Sequence, residues 1–392
     1  MELHALYYEN SHTQTFTATV LTCEPTKKGY GITLSQTAFY PEGGGQPCDL
    51  GTLDDASVLD VREVGDDIVH TCDKLLEVGT TVTGQLDWTR RFDHMQLHSG
   101  EHIISGIASQ LYGYDNVGFH MGTDMVTIDF NGELTPEQVA DLELRANQAV
   151  WANTPVEVLY PTPEELEAKD YRSKKALSGQ VRLVEFPGSD CCACCGTHVK
   201  STGEIGIIRL FSCAKFKGGV RIELLCGRRC MEYLQGIYDQ NRQISNLLSA
   251  KPLETAAAVQ RLSDAGNSAK ARIAQLEEAT FIQIAQGYDG AETVLHFEDG
   301  LTADGVRKLA VAIAEVAVER VAVFSGNDQD GYGYAVSHTG GDLRLWSKSM
   351  NQALNGRGGG KPEFVQGSVK ATRQEVSAFF GSPSGRAGGE AD

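Results

Sequence analysis

At 392 residues the chain is long enough for two or three domains. Its 41% hydrophobic and 22% charged residues are a globular composition, which excludes global disorder. The 34 Lys and Arg against 52 Asp and Glu give a formal net charge of −18. That excludes a generally basic nucleic-acid coat protein, but not an enzyme that meets nucleic acid through local basic patches.

Along the first 88 residues, apolar and polar side chains alternate between Gly and Pro breaks. Thr15–Cys23, Tyr30–Ser35, Ile68–Cys72 and Thr80–Leu86 read as short strands of a small β-rich domain. Asp93 to Leu111 reads as a helix, Val126–Phe130 as a strand, Thr135–Ala152 as a capped helix and Val156–Tyr160 as another strand. Strand-like Val181–Phe186, Ile205–Ser212 and Val220–Cys226 complete an α+β domain over 89–230. From Met231 to about Gly287 the pattern turns helical around Pro252, predicting a hairpin or coiled-coil spacer that could pair two chains into a homodimer. A compact α/β domain over 288–381 follows, with a Gly/Ser/Pro-rich tail from 382 to 392 expected to be disordered. The fold class is thus α+β multidomain: a barrel-like β domain, an α+β domain, a helical spacer and a C-terminal α/β domain.

The most apolar stretch, Lys308 to Phe324, is broken by Glu315, Glu319 and Arg320, so no membrane span is expected. Met1 to Gln14 lacks an apolar core behind a basic head, the mark of a signal peptide. Four of the ten cysteines crowd into Cys191, Cys192, Cys194 and Cys195, where disulfide geometry is poor. These features read as a cytoplasmic chain with metal or redox chemistry rather than a disulfide framework.

His98 and His102 stand four apart on a predicted helix, so both imidazoles leave one face. Ninety residues on, Cys194-Cys195-Gly196-Thr197-His198 offers a thiol and an imidazole around a turn glycine. Together they supply a His, His, Cys, His set suited to tetrahedral Zn2+. His98 to His102 also fits H-x-x-E-H, with Glu101 as the base of a metallopeptidase. His94, one turn earlier, reads as a neighbour rather than a ligand.

Four blocks in order resemble the long form of the AlaX family, the free-standing alanyl-tRNA editing proteins. Thr37 to Gln46 resembles TxFYPxGGGQ, His98 to His102 resembles HxxxH, and Cys194 to Val199 resembles CGGTHV. Gly356 to Pro362 resembles the GGRGGGRP loop of the C-terminal domain of alanyl-tRNA synthetase. The resemblance implies zinc-dependent deacylation of tRNA(Ala) carrying a wrong amino acid, serine or glycine. It selects Cys194, not Cys195, as the thiol ligand beside His98, His102 and His198. It places Thr37 and Gln46 in the catalytic pocket, with Gly43, Gly44 and Gly45 lining it. Glu101, a catalytic candidate as a base, departs from the family, where that position is more often neutral, and reads otherwise as an exposed helix residue. It also gives Arg357, Gly358, Gly359, Gly360 and Lys361 to the tRNA body, as a glycine loop that could hold phosphate through backbone N–H groups. Arg90, Arg91, Lys174, Lys175, Lys215, Lys217 and Arg221 could form a basic track. A tRNA-binding protein with a structural zinc, or a phosphoesterase in the third domain, are the other readings; that domain has no Asp-His-His cluster.

Overall fold

The computed structural model describes residues 4–173 and 180–382, so Lys174, Lys175 and the tail beyond Ser382 lie outside the described residues. The chain divides into two compact units, 1–243 and 244–392. Among the described residues no helix is long and apolar enough to cross a membrane.

The first unit begins with a closed six-stranded barrel in the order Thr15–Thr26, Gly29–Leu34, Asp67–Cys72, Ala56–Val64, Gly51–Leu53, Thr81–Leu86. Every pairing is antiparallel, and closure leaves no free edge. Phe16, Ala18 and Val20 alternate inward with Val82 and Leu86 to fill it. Gly51–Leu53 and Ala56–Val64 escaped the sequence reading, because exposed Leu59 and Val64 break the alternation there.

Asp87 caps the helix Trp88–Tyr112 by accepting the Arg90 N–H, and Gly113 ends it in the left-handed region. The helix packs beside a four-stranded antiparallel sheet, ordered Ile208–Phe216, Gly219–Cys226, Val126–Phe130, Asn116–Met121. Pro136–Ala152 covers the same core through Leu142, Ala146 and Val150. A small sheet, Glu157–Leu159, Leu183–Phe186 and Asp190–Ala193, carries the cysteine-rich segment toward the helix.

In the second unit the helix Thr255–Gln286 buries Phe281 and Ala285 at its end, while Val259, Leu262, Ile273 and Leu276 stay exposed. The sheet runs Thr293–Phe297, Arg320–Asn327, Gly331–His338, Phe364–Val369, Gly356–Lys361; its first pair is parallel and the rest antiparallel. Val321 and Val323 face one core, whereas Ala322 and Phe324 face the other, the period-two signature of a strand covered on both sides. The expected glycine loop is a strand: Gly356–Lys361 pairs in register with Phe364–Val369 across the turn at Pro362 and Glu363. Glycine has no β propensity to reveal this, so pairing alone makes it a strand.

Candidate metal centre

The histidine helix supplies two imidazoles and the turn after Asp190–Ala193 supplies a thiol and a third imidazole. One ligand atom from each of His98, His102, Cys194 and His198 lies within 4.8 Å of every other. His98 Nε2 is 3.6 Å and His198 Nε2 3.4 Å from Cys194 Sγ. A tetrahedral zinc with bonds of ~2.3 Å to sulfur and ~2.0–2.1 Å to nitrogen separates S and N by about 3.6 Å. The donor set and its spacing therefore fit zinc.

The far nitrogen of each ring is fixed. Gln46 donates its amide N–H to Thr197 Oγ1 at 2.8 Å and accepts the Thr197 backbone N–H at Oε1. That same Oε1 lies 2.8 Å from His98 Nδ1, so His98 carries its proton there and turns Nε2 to the cluster. His102 Nδ1 donates to Asp190 Oδ2 at 2.8 Å, and Arg172 holds both oxygens of Asp190 at 2.7 and 2.8 Å. Ser99 Oγ, which also accepts the Val199 N–H, lies 3.3 Å from His198 Nδ1. Such partners set the tautomer and orientation of metal-binding imidazoles.

Phe119 stacks on His98 and Phe186 on His102, making dry walls. Burial opposes ionising Cys194, yet His98, His198 and His102 hold its thiol well below the usual range. Burial also opposes charge on His102, but Cys194 and Asp190 hold it well above its ordinary value. Burial pushes His198 down to about 3. A thiolate beside the neutral imidazole of His198 is the state a metal takes up, and His102 would shed its extra proton on ligation.

Two glycines make this packing possible. A Cβ on Gly196 would stand 2.1 Å from His98 Cε1, so only glycine lets the turn close over that ring. Gly45, at φ +85°, passes within 2.9 Å of the Phe119 carbonyl by the same measure. Gly43 bridges to Gln46, and Gly44 also adopts positive φ, so the loop turns Gln46 inward.

Glu101 is buried. Its Oε1 accepts from Ser105 Oγ at 2.9 Å and from Asn116 Nδ2, and its Oε2 lies 3.9 Å from His102 Nε2. Thr37 is buried beside the barrel, in a short strand paired with His4–Ala5, and is bonded to His70 Nε2 at 2.8 Å and to the Phe39 N–H. Because His70 Nδ1 faces the Ile32 carbonyl, the proton between Thr37 and His70 belongs to the threonine. Cys195 is exposed, in contrast to its neighbour. Arg357, Gly358, Gly359, Gly360 and Lys361 lie in the other unit on the exposed edge strand.

Sequence reasoning missed Asp190, Arg172, Ser99 and Asn116. Only an acid next to the cysteine run hinted at Asp190; its partners His102 and Arg172 are 88 and 18 residues away. The basic track changes as well. Arg91 is wholly buried, with Nε on both oxygens of Asp49 at 3.0 and 2.9 Å, so it belongs to the barrel–helix junction. Arg221 is paired with Asp129 and Lys215 with Glu133.

Comparison with known proteins follows this geometry. Residues 181–223 match the family "Threonyl and Alanyl tRNA synthetase second additional domain", which spans the turn carrying Cys194 and His198. Residues 5–90 match "tRNA synthetases class II (A)" and residues 290–380 match the DHHA1 domain. Alanyl-tRNA editing protein Aarsd1-B of Xenopus laevis is 29% identical over 359 residues, covering 90% of this chain and 87% of the relative. Alanyl-tRNA editing protein AlaX-L of Pyrococcus horikoshii is 29% identical over 398 residues, covering 95% and 96%. The alanine–tRNA ligase of Thermofilum pendens is 30% identical over 397 residues, 94% of this chain but 42% of the ligase. Over nearly its whole length the chain is similar to alanyl-tRNA editing proteins, the long form AlaX-L among them.

Proposed function

We propose that this protein removes a wrong amino acid, serine or glycine, from tRNA(Ala) by hydrolysing the ester at the 3′ end, in the cytoplasm, with zinc at His98, His102, Cys194 and His198. The observation that carries this reading is the four-donor cluster with every outer ring nitrogen held, in a chain whose relatives are named for alanyl-tRNA editing. The chemical need is clear. A pocket shaped for alanine rejects glycine or serine poorly by binding alone, so a second hydrolytic sieve is required.

Zinc held by these residues would orient the aminoacyl end. With four protein donors it would have no open position, so handling of the attacking water falls to side chains beside it. Glu101 accepts a hydrogen bond from that water at Oε2 while Ser105 and Asn116 steady Oε1. Gln46 acts as a positioning residue by keeping the His98 proton at Nδ1. Thr37 donates its hydroxyl hydrogen to His70 and accepts the Phe39 N–H, so its oxygen keeps one lone pair for a hydrogen bond from the serine hydroxyl that alanine lacks. Losing a hydrogen bond in a buried site is costly, and that cost separates serine from alanine.

In this reading residues 1–88 and 89–230 take the aminoacyl end, 231–287 form the spacer and 288–381 take the tRNA body through exposed Arg357 and Lys361. The spacer also pairs two chains. Positions 259, 262, 266, 269, 273 and 276 keep a heptad spacing. In an antiparallel two-fold pair Val259 meets Leu276, Leu262 meets Ile273, and Gly266 meets Ala269 at the centre. The functional test is deacylation of serine-, glycine- and alanine-charged tRNA(Ala) by one purified sample. Release of serine or glycine with alanine spared is expected; equal release of all three, or of none, overturns the proposal.

A further inference from the structure

Among its described residues the first unit buries five histidines, and four have a ring nitrogen fixed by a defined neighbour. His98 is held by Gln46, His102 by Asp190, His198 by Ser99 and His70 by the Ile32 carbonyl. His94 is the exception. It is only 6% exposed, yet its Nδ1 has no hydrogen-bond partner among the described residues. Leaving a buried polar atom unpaired is costly, and each such atom calls for an explanation.

Its surroundings indicate what would complete it. Arg90, His94, His98 and His102 recur every four residues and share one face of the helix. At 1.5 Å per residue, His94 stands about 6 Å along the axis from His98, on the side away from His102. Arg90, one turn further, points its Nε at the Cys48 carbonyl, just beyond the glycine loop. Arg229 reaches in from the helix Gly227–Leu247 and donates to the carbonyls of Gly122 and Thr123 at 3.2 and 2.6 Å. Both arginines donate hydrogen bonds to backbone carbonyls here rather than to carboxylates, although Asp93, itself paired with Arg228, and Asp124 lie near Arg229. The nearby charge of Arg91, in contrast, is neutralised by Asp49. Burial, aided by these cations, keeps His94 uncharged, with its pKa down at about 3. An uncommitted neutral ring is thus flanked by two cations, one nucleotide's reach from the metal donors.

We infer that His94 is a positioning residue for the RNA end, donating a ring N–H to the phosphate on the 5′ side of the terminal adenosine, with Arg90 and Arg229 supplying the balancing charge. The inference rests on the deacylase reading above. Seating this phosphate fixes the distance from the RNA backbone to the ester, so orientation at the metal donors is set before the water attacks. A neutral donor suits the task, because it discriminates by geometry while the arginines carry the salt-dependent attraction.

The test uses the full zinc-loaded chain and three seryl esters: of adenosine, of adenosine 5′-phosphate and of tRNA(Ala). In the unaltered protein the 5′-phosphate should raise kcat/KM about tenfold over the plain nucleoside ester, the worth of one charge-assisted hydrogen bond. His94→Phe keeps the ring volume without nitrogens. It should abolish that gain, raise KM for the tRNA ester about tenfold, and leave the adenosine ester and zinc content unchanged. His94→Gln, which keeps a donor, should recover much of the gain and guards against misfolding of the Phe variant. Arg229→Gln should reduce the salt slope of tRNA binding by close to one, which neither His94 variant should do. Equal losses on all three esters, or loss of zinc, would make His94 mere support for the metal site and overturn the inference. Inactivity of the unaltered protein on every ester would instead refute the deacylase reading itself.

Discussion

The candidate metal cluster of the first unit and the glycine strand of the second both carry glycine-bearing motifs, but they hold their side chains very differently. Around the cluster, each ring nitrogen not facing the thiol has a named acceptor, and some of those acceptors have partners of their own. Along Gly356–Lys361 the backbone is paired on one side only, and Arg357 and Lys361 extend into solvent. Chemistry at a bond needs side chains fixed to fractions of an ångström. Grip on a phosphate backbone needs charge and an approachable main chain, for which glycine suffices.

The comparison predicts a graded series of effects. The largest belongs to the cluster. His102→Ala or Cys194→Ala removes a proposed ligand and should abolish zinc retention together with deacylation, a loss above 1,000-fold, read by metal analysis beside the rate. Asp190→Asn keeps the shape but deprives His102 of its carboxylate, and should weaken zinc affinity 10–100-fold in a competition titration with a chelator. Glu101→Gln should lower kcat about tenfold with zinc still bound. A fall of several orders, accompanied by peptide hydrolysis in the unaltered protein, would point to a metallopeptidase base. In the glycine strand, Arg357→Ala with Lys361→Ala should raise KM several-fold, leave kcat in place and flatten the salt dependence, since fewer phosphates are neutralised. The smallest effect should come from Cys195→Ala, because that thiol is exposed and outside the donor set. If its zinc content fell as far as that of Cys194→Ala, the wrong thiol would have been assigned.

What could be read from residues alone divides along the same line. The four donors were legible because their spacings, four residues on a helix and four around a turn, are local. The helix itself was harder to bound. It starts at Trp88 rather than Asp93, and nearly every residue from Asp93 to Ala108 is buried, so no polar face marks its period. Asp190 and Arg172 could not be read, since their roles come from contacts across the fold rather than from pattern. His94 was legible as a histidine near the motif, but its lack of a partner emerges only in three dimensions. The glycine strand was misread as a loop because the information that makes it a strand lies in its partner, Phe364–Val369.

The central claim is that the cluster holds the metal on which editing depends. Its most direct measurement strips the purified chain with a chelator, restores zinc in steps, and follows serine release from Ser-tRNA(Ala) at each occupancy. Activity should be absent from the stripped protein and rise in proportion to zinc, reaching its plateau at one ion per chain. Full activity in the stripped protein, or a plateau unrelated to one ion per chain, would contradict the account.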